Sequence, residues 1–266
     1  MTPSEHLASA HRLDEAERTR KQIRMISLDH PGMTMADAYA VQAAWRELKL
    51  ARGETLVGHK IGLTSKAMQS AVGIDAPDSG FLTQGMVFAD GGEVPAERFI
   101  GLRVEAELAF VLKAPLAGAS LTVEDVIAAS DYVTPALEIL DTRIFRVDPE
   151  TKGTRTVCDT IADNAANAGL VLGESRFAPE EVDMRWIGAI VSRDDIVEET
   201  GLGAGVLNHP AAGVAWLAHR LARYGGAILP GEVVLSGSFI RPIEARPGER
   251  IDADFGRFGR VSARFA

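Results

Sequence analysis

The stretch RVEAELAF, residues 103–110, sets two glutamates one residue apart in an otherwise apolar run. Read as a β-strand, it puts Val104, Ala106, Leu108 and Phe110 on one face and Glu105 and Glu107, then Ala109, on the other. Two like charges on one strand face disfavour each other's ionisation unless a cation lies between them. A third acid keeps similar company: in VTPALEILD, Glu138 sits between Leu137 and Ile139. An isolated buried carboxylate costs several kcal/mol or takes up a proton, so carboxylates in apolar strands point to a shared counter-ion. All-oxygen ligation suits a hard divalent ion such as Mg2+, or Mn2+ in its place, with water in the remaining positions for a substrate to displace. The competing reading is a solvated strand face, on which E-x-E is common, and spacing alone does not bring Glu138 to the other two.

Further reactive side chains cluster in GHKIGLTSKAM and DAPDSGFL, residues 58–68 and 75–82. Lys60 lies in a predicted strand beside Gly58 and Gly62, where a ligand or another backbone can approach closely. Two readings stay open for it: a partly buried acid/base lysine, or a surface lysine snorkelling from an apolar stem. Asp78, before Ser79-Gly80, reads as a site acid or as a turn former. His59 falls opposite Lys60 by alternation and reads as structural. Ser236-Gly237-Ser238 ends a strand with hydroxyl and backbone donors that could hold a carboxylate, though turn chemistry explains the same residues. GLGAG at 201–205 fails as a dinucleotide loop, because no buried parallel strand precedes it and no βαβ unit follows. The one cysteine, Cys158, excludes an internal disulfide and a cysteine-rich zinc site, and nothing in the sequence marks a base for it.

The elements that must carry these residues divide the chain into two textures. The first third is helical. Thr2-Pro3-Ser4-Glu5 is a capping-box pattern opening a helix expected to run to about Met25. Thr34 opens a second helix, with Val41, Ala44, Trp45 and Leu48 inward until Gly53. From Leu56 onward, short apolar runs broken by glycine predict strands, interrupted by a helix after Thr122 and another from about Asn208 to Gly225. Strands clustered after helices indicate an α+β fold with a mostly antiparallel or mixed sheet. The expected organisation is a mainly helical region, 1–80, packed on a β-rich catalytic core, 81–266, as a single functional unit. A chain of 266 residues, 46% apolar, supports a large core without staples. With a net charge of −9 and its 28 basic residues scattered, nucleic acid is not an expected partner. An anionic small substrate would need a metal or local basic groups to reverse the sign at the site. No run of ~18 apolar residues occurs and the N-terminus is charged throughout, which predicts a cytoplasmic protein without a membrane span.

Taken together, GHKIGLTSKAM, RVEAELAFVL, DYVTPALEILDTR, DTIADNAANAG, GVLNHPAAGVAWLA and VVLSGSFIRP resemble the fumarylacetoacetate hydrolase superfamily, in its hydratase/decarboxylase branch, over essentially the whole chain. The resemblance implies that Glu105, Glu107 and Glu138 converge on one Mg2+, and that Lys60 and Asp78 are the active-site lysine and aspartate. Many relatives have T-G-T where this chain has Ser236-Gly237-Ser238, which is implied to bind substrate. The implied fold is a mixed β-sandwich or roll with an N-terminal helical region, assembled as a homo-oligomer built from dimers, up to a decamer. The implied activity is a metal-dependent hydro-lyase adding water to a 2-oxo-alkenedioate in aromatic catabolism. Alternatives are a decarboxylase acting on 2-oxo-3-hexenedioate, a 2-oxopent-4-enoate hydratase, and a silent subunit partnering such an enzyme.

Overall fold

A computed structural model describes residues 1–66, 69–70, 74 and 76–266. Ala67 and Met68, at the end of GHKIGLTSKAM, and Asp75, at the start of DAPDSGFL, lie outside the described residues.

The N-terminal third folds as the capping signals direct. Helix α1 spans Pro3–Thr19, with the Thr2 hydroxyl accepting from the Glu5 amide and the Glu5 carboxylate accepting in return from the Thr2 amide. It stops well short of Met25 because Arg20 turns left-handed at φ 55° and closes its amide onto Ala16 and Glu17. The chain then runs extended, exchanging hydrogen bonds between Ile23 and the segment around Ile144 before the short helix α2, Ile26–Asp29. Helix α3, Met35–Ala51, carries a second capping box at Thr34, and buries Val41 and Trp45 completely. These helices share a small apolar cluster with Ile144, Ile161 and Ala162.

Among the described residues the strands form two sheets. The larger follows the order β2 (Asp78–Thr83), β1 (Leu56–Gly62), β10 (Val233–Leu235), β5 (Arg103–Leu112), β6 (Ser130–Leu140), β7 (Asn167–Leu172), β3 (Val87–Phe88), with β11 (Ile243–Glu244) pairing the start of β5. The smaller runs β4 (Glu93–Val94), β13 (Arg260–Phe265), β12 (Arg250–Asp254), β8 (Gly188–Arg193), β9 (Ile196–Leu202). Pairs β1·β10, β3·β7 and β4·β13 are parallel and the others antiparallel, so both sheets are mixed. The main core lies between them: Val104, Ala106, Leu108 and Phe110 of β5 are fully buried in one cluster with Val191, Ile251, Ala253, Ala263 and Phe265 of the smaller sheet. Helices α4 (Val123–Ala129), α5 (Val157–Ala162) and α6 (Pro210–Ala222) complete the α+β architecture.

Strand β2 and helix α5 were not anticipated by periodicity. All six β2 residues are buried, so neither face alternates with solvent and the period-2 signal is absent. β2 is tied to the helical layer: Gln42 of α3 donates to the Ser79 carbonyl at 2.8 Å, and Trp45 meets Phe81 edge-on with centroids 6.2 Å apart. The GLGAG run ends β9 and makes a short turn ahead of α6, without a βαβ unit.

Candidate metal and acid–base centre

The face of β5 opposite the main core carries the two glutamates. Antiparallel pairing sets Glu105 directly across from Glu138 on β6, and Glu107 one step further along the same face, across from Ala136. Ligand oxygens of the three lie within 4.8 Å of one another. Glu107 and Glu138 have no solvent exposure and Glu105 is half-buried. Below them on this face, Leu82, Ala109, Ala136, Leu170 and Leu235 form an apolar floor.

Strands β1 and β2 bring the remaining groups. Lys60 is buried, with its Nζ 3.3 Å from Glu138 Oε1. Asp78 is the first residue of β2, paired with Gly62, and this corrects the turn reading: its backbone is in a strand and its side chain is buried. A Cβ on Gly62 would stand 3.0 Å from Lys60 Nζ and closer still to the Asp78 carboxylate, so glycine there leaves room for both groups. Gly58 answers the other half of the close-approach expectation, since its Cα faces the Val233 backbone of the parallel neighbour. His59 points away from the site, toward Glu232 at 3.8 Å, and burial pushes its imidazole down to about 4.

After β10, the chain turns back over the carboxylates. Gly237, at φ 118°, donates its amide to Glu107 Oε2 at 2.7 Å, a conformation and a closeness to Thr64 that suit glycine alone. Ser236 is fully buried, and its hydroxyl has no hydrogen-bond partner. The Ser238 hydroxyl instead closes a turn onto Ile240, donating to its carbonyl at 2.8 Å and accepting from its amide. The three residues therefore face different tasks.

Sequence reading did not single out Asn164 and Asn167. The Asn164 side chain clamps the Phe81 backbone of β2, and Asn167 Nδ2 donates to Glu138 Oε1 at 2.7 Å. For Asn164 the signal was the run NAANAG itself, since asparagine is enriched among the non-glycine residues that turn left-handed; Asn167 is extended and carries no such mark.

Four carboxyl groups thus face one lysine. Burial raises Glu105 to about 8, aided by the charge of Glu138, and drives Glu107 well above the carboxylate range. Burial raises Asp78 as well, against the pull of Lys60. For Lys60, burial works toward losing the proton, but Glu138, Asp78, Glu105 and Glu107 together outweigh it and hold the ammonium charged. Glu107 Oε1, Glu138 Oε2 and Asp78 Oδ1 are buried without a hydrogen-bond partner. Unpartnered oxygens on two glutamates of a three-carboxylate cluster fit a hard divalent cation, which would satisfy them, favour their ionised forms and reverse the local charge.

No protein-family model matches the chain. Among characterised proteins it is 55% identical to the 2-oxo-hept-4-ene-1,7-dioate hydratase of Escherichia coli, over 98% of this chain and 97% of that one. The chain belongs to the hydratase/decarboxylase branch of the fumarylacetoacetate hydrolase superfamily. Among solved structures of this branch, the 4-oxalocrotonate decarboxylase from Pseudomonas putida G7, complexed with magnesium and adipate, superposes with a TM-score of 0.94 at 38% identity, covering 100% of this chain and 99% of that one. Fumarylpyruvate hydrolase from Pseudomonas aeruginosa, at 15% identity over 78% of this chain and 88% of that one, has a TM-score of 0.57 and shares the fold of the superfamily. The mixed two-sheet architecture expected from the resemblance is the one observed.

Proposed function

We propose that the chain is a Mg2+-dependent hydro-lyase that converts 2-oxo-hept-4-ene-1,7-dioate to 4-hydroxy-2-oxoheptanedioate, with Glu105, Glu107 and Glu138 as the metal ligands. The observation that carries this reading is the convergence of three carboxylates, two of which each keep one buried oxygen without a hydrogen-bond partner, in a chain 55% identical to the E. coli hydratase along its whole length. Mn2+ would serve in place of Mg2+, since both accept an all-oxygen set. The ion, when bound, supplies a Lewis acid for the carboxylate and keto oxygens of a 2-oxo acid.

The chain's own groups move the protons. Lys60, held charged beside Glu138, donates; Asp78, whose unpartnered buried oxygen sits with Lys60 Nζ on the same side of Gly62, accepts. Loss of a proton from C3 and delivery of one to C5 brings the double bond into conjugation with the keto group. The oxygen of water then bonds C4, one of its protons passing to Lys60, neutral after the first step, while the proton held on Asp78 returns to C3, so the 4-hydroxyl keeps its hydrogen and both groups end as they began. Ser236, Gly237 and Ser238 hold a substrate carboxylate in this reading, which the unpartnered Ser236 hydroxyl, next to the Gly237 amide bonded to Glu107, supports. The helical layer takes part as one unit with the β-rich core, because Gln42 and Trp45 fix the strand that bears Asp78.

A second reading, decarboxylation of 2-oxo-3-hexenedioate, draws on the close superposition with the P. putida decarboxylase. Product analysis with 2-hydroxydienedioic acids of different chain length, in Mg2+, separates the two: the hydratase reading expects the 4-hydroxy-2-oxo diacid without gas, and stoichiometric CO2 without a hydroxylated product overturns it. We further propose a cytoplasmic homo-oligomer built from dimers. Among the described residues no helix is long and apolar enough to cross a membrane. Light scattering on the chain expressed alone, alongside turnover, distinguishes an autonomous enzyme from a silent subunit.

A further inference from the structure

We propose that Asn167 is a positioning residue for the metal centre: its side-chain amide captures one oxygen of Glu138 so that the other is presented to the cation. The inference rests on the metal reading above and adds a residue to it.

Three features of the backbone converge on this one side chain. The residues before it, Asn164, Ala165 and Ala166, are all left-handed, with φ of 55°, 49° and 64°. Consecutive non-glycine residues persist there only where the surroundings over-determine them. The surroundings do so here. Asn164 is clamped to both the amide and carbonyl of Phe81, the Ala166 carbonyl accepts from the Asp141 amide at 2.9 Å, and Arg143 bonds the Asp163 carboxylate, the Asp163 carbonyl and the Asn167 carbonyl. The strand pairing then slips: Glu138 pairs with Leu170 and Ile139 with Gly169, but Leu140 pairs with Asn167. Simple alternation from Leu170 would bring Ala168 to the site face. The extra residue sends Ala168 into the main core between the sheets, while Leu170 remains in the floor of the site and Asn167 regains the site face.

The result is a division of labour on the carboxylate. Glu138 Oε1 accepts from Asn167 Nδ2 at 2.7 Å and faces Lys60 at 3.3 Å, while Oε2 has no partner. Glu107 is arranged alike, with Oε2 on the Gly237 amide and Oε1 free. Both capturing donors are neutral, so they fix the geometry without supplying a charge that competes with the metal.

Asn167→Ala and Asn167→Leu both remove the donor, one leaving space and one filling it. Mn2+ affinity is read by electron paramagnetic resonance on the folded, substrate-free protein, with thermal unfolding in chelator as the folding control and Glu138→Gln as the ligand-loss control. We expect Mn2+ dissociation constants raised about 10–100-fold in both variants, the range for loss of an outer-shell partner. The Mg2+ concentration for half-activation should rise in parallel, with kcat at saturating metal falling less. Unchanged Mn2+ affinity in folded variants of lower thermal midpoint would overturn the inference and leave Asn167 purely structural. A crystal structure of the Mn2+-loaded wild-type chain tests it even where neither variant folds. Asn167 Nδ2 on the Glu138 oxygen that does not touch the metal supports it, and a separation beyond about 3.5 Å overturns it. Folded wild-type protein that binds no Mn2+ would instead remove the metal reading itself.

Discussion

Glu107 carries opposite consequences for activity and stability. Its carboxyl is fully buried beside two others, so the metal-free protein bears the cost of either desolvating the charge or holding the group protonated, well above the carboxylate range. Glu107→Gln should lower Mg2+-dependent turnover by about 10²-fold or more, the scale for removing a preorganised electrostatic group. In chelator it should raise the thermal midpoint, by about 2–4 °C for each kcal/mol of that cost removed. Calorimetry with and without Mg2+ checks the sign: wild type should be stabilised by the metal and the variant should not. Lys60 separates catalysis from ligation. Lys60→Met should reduce kcat by about 10²–10⁴-fold, the range for a lost proton-transfer group, while Mg2+ binds more tightly because a competing cation 3.3 Å from Glu138 is gone. Isothermal titration and steady-state rates read the two effects independently.

Elements position these groups by register and by turns. Pairing of β5 with β6 sets Glu105 opposite Glu138, and the turn after β10 delivers the Gly237 amide to Glu107. Gly237→Ala puts a Cβ at φ 118° against Thr64, so it should cost about 1–3 kcal/mol of stability and weaken Mg2+ binding. Chemical denaturation and metal titration measure both. At this scale the sequence was legible where a signal was local. The Thr2, Thr34 and Thr122 caps open helices where expected, and the RVEAELAF stretch lies within strand β5. It was illegible where the structure suppressed the signal: β2 is buried on both faces, and α1 ends on a left-handed arginine that lacks the usual glycine mark.

Across the whole molecule, ionised aspartates tie the N-terminal helices to one another and to the segment around Asp148. Asp37 accepts from the Thr34 amide and hydroxyl, from His6 and from the N-terminal ammonium, and is held far below its ordinary 3.8. Asp148 accepts from Arg24 at 2.7 Å and from the Thr151 and Glu150 amides, with the same effect. Depressed folded-state values mean the unfolded chain takes up protons first, so this stability is complete above about pH 3.8 and is lost as pH falls below it. Unfolding midpoints followed downward through that pH should drop steeply in wild type and less in Asp148→Asn.

By itself the sequence determined that Glu105 and Glu107 share a strand face, that Lys60 and His59 lie on opposite faces, and that three helices begin at the capping threonines Thr2, Thr34 and Thr122. Each follows from geometry fixed within a few residues, the two-residue period of a strand or the hydrogen bonds of a first helical turn. Only tertiary structure decided that Glu138 stands opposite Glu105, that Asp78 reaches Lys60 through the β1–β2 pairing, and that a slip in β7 aims Asn167 at the carboxylates. Register between distant strands is set by the burial of whole faces and by the turns that join them, and a shift of one residue would turn every one of those side chains away.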